Sequence, residues 1–313
     1  MRDNEQTLQD LAHTVGCIRQ RHLLNTAAGT PESVPVRKET MRKKDCLVSM
    51  LASGSKGNCA YIRCGNTRIL IDAGISCRRV ETGLRRYGCT LADIDAVFLT
   101  HEHQDHVSGL RTLLKKSQMP VYTTRETWQA IGNAVVGHQN RFMPVMRRTQ
   151  VGEMQIVPFA ISHDAARPVG YSVYHEQVKV TLATDLGKIT PAVLQAAAYS
   201  DIFILEANHD EQMVRNGAYP YYLQQRILGQ LGHLSNRTAA AFLREVPNKG
   251  RMQVLLAHRS ETNNTPSLAL RTVRTILSQG GRAVGQDVIL RLAGQHSAVR
   301  MEHPDFGQRQ RTY

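Results

Sequence analysis

The chain has 313 residues, 42% of them hydrophobic and 21% charged, a balance that suits a soluble globular protein able to bury a core. No apolar run approaches the ~18 residues of a membrane span, and the opening MRDNEQTLQDLAHTVGCIRQ carries early acids without an apolar centre, so neither a membrane anchor nor a secretory signal is expected and the cytoplasm is the default location. The formal net charge of +13 points instead towards polyanions, of which nucleic acid is the usual one in a cytoplasm.

Residues 1–45 read as a polar extension, with a short helix over about 5–22 and then a linker containing NTAAGTPESVPVRKETMRKK. From residue 46 the pattern changes. CLVSMLAS, CAYIRCG and TRILIDAG read as three strands, the first two joined by the glycine turn GSKGN. CRRVETGLRRYG has the spacing of an amphipathic helix with arginines outward. DAVFLT is a buried strand, VSGLRTLLKKSQ a helix, PVYTT a strand and RETWQAIGNAVV another helix. EMQIVPFAIS is a strand, and YSVYHEQVKVTLATD a hairpin ending at Asp185. The helix PAVLQAAAYS and the strand DIFILEAN follow, then the helices YYLQQRILGQLG and SNRTAAAFLREV and the strand MQVLLAH. The helix PSLALRTVRTILSQ and the strand DVILRLAG close a domain over 46–293, leaving 294–313 as a basic tail. Alternating strands and helices in two comparable halves favour sheets covered by helices. The six cysteines, Cys17, Cys46, Cys59, Cys64, Cys77 and Cys89, form no Cys-x-x-Cys pair and read as small buried hydrophobes or free thiols.

The ionisable residues fall in a telling place. Asp72, the cluster THEHQDH at 100–106, His163, Asp185 and His258 each lie just past the end of an apolar strand, and adjacent strand ends can meet in space. In His101-x-His103-x-Asp105-His106, alternate residues of a loop point the same way, so His101 and His103 can chelate one ion while Asp105 and His106 face a second. Imidazole and carboxylate suit zinc, manganese or iron. A tetrahedral ion takes about four ligands, and a catalytic one leaves a place for water. One loop cannot fill two such ions, and His163, Asp185 and His258 stand where the rest are needed.

THEHQDH resembles the H-x-H-x-D-H signature of the metallo-β-lactamase superfamily, and Asp72, His163, Asp185 and His258 resemble its other motifs in the same order. Over roughly 47–293 the resemblance implies an α/β fold, the four-layer αββα sandwich, with two divalent metal ions at one edge between the sheets. It implies that His101, His103 and His163 bind the first ion, that Asp105, His106 and His258 bind the second, that Asp185 bridges them, and that Asp72 orients the histidine loop. Histidine rather than glutamate in the third ligand position argues for hydrolysis over redox. LASGSKGN, IDAGIS, LEANHD, GHLSN and LAHRSETNN resemble the bacterial YycJ/WalJ branch, regarded as nucleases with 5′-to-3′ exonuclease activity on DNA. The long N-terminal extension departs from that pattern and leaves Met41 or Met50 open as the start.

Two ions about 3.5–4 Å apart hold a water and lower its pKa while neutralising charge on a phosphoryl oxygen. The implied reaction is phosphodiester hydrolysis by a metal-bridging hydroxide, which Asp105 is placed to orient. His233 in GHLSN resembles the histidine of ribonuclease Z and its relatives that serves the leaving oxygen, and Glu206 would hold its tautomer; the same HLSN also reads as a helix cap. His209 is a weaker candidate for that task. Ser235, Asn236, Asn263 and Asn264 offer neutral hydrogen bonds for phosphates, and Ser55 and Asn58 in SGSKGN either approach a substrate end or belong to a plain glycine turn. SGSKGN lacks the Gly-x4-Gly-Lys-Ser/Thr spacing, so no nucleotide triphosphate is expected. The arginine-rich helix and LLKKSQ either contact DNA backbone or form a solvated face. The expected partner is nucleic acid, DNA with a free end. A ribonuclease or small-molecule hydrolase of the same fold, and a nucleic-acid- or partner-binding metalloprotein without turnover, are the competing readings.

Overall fold

Strands that are buried along their whole length need cover on both faces, and the computed structural model supplies it for the residues it describes: Val15, Gly16, Ile18 and 46–302. One seven-stranded sheet runs in the order β14 (Val299–Glu302), β1 (Cys46–Ala52), β2 (Cys59–Cys64), β3 (Thr67–Ile71), β4 (Ala96–Phe98), β5 (Val121–Thr123), β6 (Phe142–Pro144). The other seven-stranded sheet runs β13 (Val288–Leu292), β12 (Met252–Ala257), β11 (Ile202–Glu206), β10 (Val178–Ala183), β9 (Val169–His175), β8 (Met154–Ala160), β7 (Thr149–Val151). Alternate residues sort to opposite faces. In β1, Cys46, Val48 and Met50 enter the cluster between the sheets with Tyr171, Val173 and Leu255 of the other sheet. Leu47, Leu51 and Ala52 face outward under helices, and the register shift between Met50 and Ala52 turns both Leu51 and Ala52 to that face.

Helices α1 (Cys77–Arg85), α2 (Gln104–Val107), α3 (Leu110–Lys116) and α4 (Arg125–Ile131) cover the first sheet. Helices α5 (Pro191–Ala197), α8 (Asn236–Glu245) and α9 (Pro266–Gln279) cover the second, with α6 (Glu211–Asn216) and α7 (Tyr221–Leu228) between α5 and α8 in sequence. This is the four-layer αββα arrangement. Helix α1 begins where the Ser76 side chain accepts from Arg79 N, and it buries Cys77, Val80, Gly83 and Leu84. Its residues Arg78, Arg85 and the following Arg86 stay in solvent.

Several expectations are corrected. The helix read over 107–118 is broken after α2, because Gly109 N–H donates to Ala73 O at 2.8 Å and a Cβ there would stand 1.9 Å from Ile75 O. The helix read over 125–136 ends at Ile131, with Gly132 at φ 58. Pro158 sits inside β8 without breaking it, because β7 pairs only with Met154–Ile156 and leaves that edge free. The short β6, β7 and α6 carry too few residues to show a period. Within the stretch read as a tail, Val299–Glu302 forms β14, paired antiparallel with β1, and Gln253 of β12 donates to Glu302 O. Cys46 and Cys64, read as free or buried thiols, are joined by a disulfide across β1 and β2, while Cys59, Cys77 and Cys89 are free and buried. Of the helix expected over 5–22, Val15, Gly16 and Ile18 are helical, with Val15 buried against the outer face of the second sheet. The rest of that helix, the linker and residues 303–313 lie outside the described residues. No helix among the described residues is long and apolar enough to cross a membrane.

The topology that matters for the site is the parallel pairing of β3 with β4 and of β10, β11 and β12 in turn. Parallel strands deliver their carboxyl ends to one edge, where open α/β sheets place their ligands. The loops there interlock: Asn58 N–H donates to Asp105 O at 2.7 Å and Gly74 N–H to Asn58 O at 2.9 Å. A Cβ on Gly74 would come within 1.6 Å of Asp105 O, so only glycine allows this approach. Gly74→Ala is expected to destabilise the protein by at least about 2 kcal/mol. Gly88→Ala, at φ 66 with open space around it, is expected to cost about 1 kcal/mol. Thermal melts compare the two, and equal melting temperatures would contradict this packing of the loops.

Candidate metal centre

The strand ends bring the sequence-predicted ligands together at that edge. One nitrogen each of His101, His103 and His163 lie within 4.8 Å of one another, as do ligand atoms of Asp105, His106 and His258, and a third group joins His101 and His106 to Asp185. His101, His106, His163, Asp185 and His258 are buried, and Asp105 and His103 are half-buried. Asp72, Asp185 and His258 have φ of 63°, 61° and 48°. This left-handed region is uncommon for residues with a side chain. It turns the chain sharply at the ends of β3, β10 and β12.

Each imidazole is held by one nitrogen. His106 Nδ1 donates to Asp72 Oδ2 at 2.8 Å, His258 Nδ1 to Glu206 Oε1 at 2.8 Å, and His163 Nδ1 to Gly232 O at 3.2 Å. His101 Nδ1 is 3.0 Å from Thr100 Oγ1. Fixing Nδ1 in this way leaves Nε2 as the lone-pair nitrogen facing the centre. His103, at the start of α2, faces in the opposite sense, its Nδ1 being 3.2 Å from His163 Nε2. His106 Nε2 stands 3.4 Å from Asp105 Oδ2 and 3.3 Å from Asp185 Oδ2, and His258 Nε2 3.3 Å from Asp105 Oδ2. Two atoms aimed at the centre, His101 Nε2 and Asp185 Oδ2, are buried without a hydrogen-bond partner among the described residues. Such atoms cost about 1–3 kcal/mol each, and a cation between them removes that cost. The donors are all nitrogen and oxygen, which fits a divalent ion of the zinc, manganese or iron type.

The electrostatics divide the centre. Burial, joined by His106, holds the His101 imidazole well below its ordinary range. Burial also lowers His163. Burial opposes protonation of His106 and His258 too, but there Asp185 leads the carboxylates that outweigh it, raising His106 well above its usual value and His258 to about 10. Asp105 is held far below the carboxylate range, burial being overcome by hydrogen bonds from His106 and His258. Without metal, the protons on His106 and His258 therefore balance the buried carboxylates.

Glu206 is the hub behind the ligands. Its Oε1 accepts from both His258 Nδ1 and His233 Nδ1, at 2.8 and 2.9 Å, and its Oε2 from Leu186 N and Leu234 N at 2.9 Å each. With both oxygens occupied, Glu206 positions the two rings and is not free to take a ligand place itself. His233 is the more exposed, and its ring centre is 5.2 Å from those of His163 and His258. The sequence reading missed this double role. It also missed Thr100, whose hydroxyl bridges Asp72 and His101, and Glu102, which ties the histidine loop to Ala166 N at 2.7 Å. Asp164 was missed as well: Oδ1 is 3.5 Å from His163 Nε2, and Arg226 anchors Oδ2 at 2.6 Å. Its only sequence signal is its place directly after His163.

The phosphate-holding candidates are largely spent inside the fold. Asn58 accepts from Gly54 N and donates to Asp105 Oδ2 at 3.1 Å, so it braces the cage. Asn236 and Asn264 pair their amides with each other. Ser235 caps α8 and donates to Glu211. Asn263 is buried, and Ser55 is exposed on its turn.

Residues 67–258 match the beta-lactamase superfamily domain. The exodeoxyribonuclease YycJ of Bacillus anthracis is 34% identical over 242 residues, covering 76% of this chain and 91% of that protein. The chain belongs to the metallo-β-lactamase superfamily, in the YycJ/WalJ branch. The exodeoxyribonuclease WalJ of Streptococcus pneumoniae serotype 2 (strain D39) is 35% identical over 245 residues, with the same coverages of 76% and 91%. Among solved structures, the metallo-β-lactamase-fold protein YhfI of Bacillus subtilis superposes with a TM-score of 0.61 at 15% identity, covering 83% of this chain and all of that one, a likeness of fold. The family is one of metal-dependent hydrolases, and the nitrogen and oxygen donor set fits divalent ions.

Two outcomes test the centre. Asp72→Asn is expected to weaken metal binding by about 10–100-fold, because the neutral amide no longer fixes the His106 tautomer; unchanged affinity in a metal titration would remove Asp72 from that role. Metal uptake near neutral pH is expected to release roughly two protons, from His106 and His258. Affinity should then rise with pH. Calorimetry in buffers of different ionisation enthalpy measures the release, and uptake without proton release would contradict this charge balance.

Proposed function

We propose that the protein is a metal-dependent exodeoxyribonuclease that acts in the cytoplasm on DNA with a free end, in the 5′-to-3′ direction. The observation that carries the reading is the pairing of an intact nitrogen and oxygen cage with about one-third identity to two exodeoxyribonucleases along 91% of their length. His101, His103 and His163 would hold one divalent ion, Asp105, His106 and His258 a second, with Asp185 shared between them. When bound, such ions supply Lewis acidity towards a phosphoryl oxygen and a water acidic enough to attack at neutral pH.

The chain supplies the rest. Asp105 orients the attacking water through its carboxylate. His233, held through Nδ1 by Glu206, presents Nε2 to the leaving oxygen and gives it a proton, and Glu206 stabilises the protonated ring before that transfer. Hydrolysis then returns a free hydroxyl on one product and a phosphate on the other. The net charge of +13 draws the polyanion to the surface and makes binding salt-dependent.

Duplex DNA labelled at one end, incubated with the manganese-loaded protein, should release mononucleotides stepwise. His103→Ala and Asp185→Ala are expected to abolish release while the fold persists. His233→Ala is expected to slow turnover by about 10²–10⁴-fold with metal content unchanged. Cleavage of RNA alone, or binding without cleavage, would overturn the reading, and loss of metal from the His233 variant would overturn its role.

A further inference from the structure

Beside His233 a cleft of about 1080 Å³ opens between the turn at Gly187–Ile189, α6 and the first turns of α8. Apart from His233, none of the metal-centre residues lines it. Its walls carry Lys188, Arg215, Arg237 and Arg244 against Asp210 and Glu211. Both acids are engaged: Asp210 caps α6 by accepting from Gln212 N and Met213 N, and Glu211 accepts from Ser235 Oγ. Arg244 is paired with Glu245 and Lys188 donates to Gln230. Arg215 and Arg237 are exposed, and neither has an ion-pair or hydrogen-bond partner among the described residues.

His209 lines the same cleft and is 1% exposed. Its carbonyl accepts from Asn236 N at 2.8 Å, which docks the first turn of α8 onto it. Its ring Nδ1 is buried without a partner among the described residues. Burial lowers this imidazole to about 4, so at neutral pH it is an uncharged ring with one N–H to give. The start of α8, a helix of ten residues capped by Ser235, faces the cleft through Ser235, Arg237 and Thr238, and a helix start favours anions. Two guanidiniums and a buried imidazole, each without a partner among the described residues, thus share one cavity with a helix start next to the proposed proton donor.

We propose that this cleft seats a phosphate group of the nucleic-acid substrate, held by Arg215 and Arg237 from the walls, His209 from within and the start of α8. The proposal rests on the nuclease reading above and extends it by naming where the strand is gripped next to the bond that is cut. The phosphate is either the terminal monoester at a 5′ end or an internal diester.

The test uses manganese-loaded protein and a phosphorothioate-linked deoxyoligonucleotide labelled at its 3′ end, prepared with a 5′-phosphate or a 5′-hydroxyl. Binding is read by fluorescence anisotropy across a salt series. Arg215→Ala and Arg237→Ala are each expected to weaken binding about tenfold and to lower the log–log salt slope by about 0.7. His209→Gln should weaken it with no change in slope, while Arg85→Ala, on α1 over the other sheet, should leave a larger share of the affinity intact. Loss confined to the 5′-phosphorylated strand assigns the cleft to the terminal monoester, and equal loss on both strands assigns it to an internal diester. Inorganic phosphate should compete with the strand in the wild type and not in the Arg215→Ala/Arg237→Ala double variant. Wild-type affinity and slope in that double variant, or an equal loss in Arg85→Ala, overturns the proposal. Failure of the wild type to hydrolyse unmodified DNA would sink the nuclease reading separately, because anisotropy does not depend on turnover.

Discussion

A carboxylate withdrawn from water must be compensated, since the effective penalty for a buried ion is several kcal/mol. Asp72, Asp185 and Glu206 are each 2% exposed or less, and they lie at one edge of the fold with Asp105 beside them. Both oxygens of Asp72 and of Glu206, and Oδ2 of Asp105, are met by an imidazole N–H, a backbone N–H or the Thr100 hydroxyl, whereas Asp185 Oδ2 has no hydrogen-bond partner among the described residues. That exception is aimed into the centre, as is the unpartnered His101 Nε2. Within this group of carboxylates, the oxygen left without a partner thus faces the point where a cation would sit. Protons on His106 and His258 are the substitute when no cation is there.

The scaffold around this charge is built to hold it rigidly. Parallel strands end together, and left-handed turns at Asp72, Asp185 and His258 swing their side chains inward. The cost of those turns is offset by packing on both sides: β1, β10, β11 and β12 are buried along their whole length. Glycines at 74 and 109 let the loops beside the centre approach backbone to backbone. Glu206 then links His258, proposed as a metal ligand, to His233, proposed as the proton donor, so the two roles share one support.

Much of this was legible in the sequence because strand ends are local signals. An apolar run followed by Asp72, His101, His163, Asp185 or His258 needs no tertiary knowledge to be noticed, and the crowding at 101–106 is one motif. What the chain did not reveal depends on contacts between distant segments. Nothing near Asn58 or Asn236 says that their amides are satisfied internally. The four residues of β14 read as a tail because they are too short to show a period and pair only with the distant edge of β1. The Cys46–Cys64 bridge depends on the register of β1 against β2, and spacing alone does not fix which cysteines face each other. The break in the helix after α2 comes from Gly109 reaching Ala73, a contact outside any helical pattern.

If these strand ends form a cage for divalent ions, the ions themselves can be located. Crystals of the protein grown with manganese or zinc, measured at wavelengths on either side of the metal's absorption edge, provide the most direct test. Two anomalous peaks are expected, one among His101, His103 and His163 and one among Asp105, His106 and His258, with Asp185 between them. A crystal grown at saturating metal with no anomalous peak inside this cluster would contradict the cage.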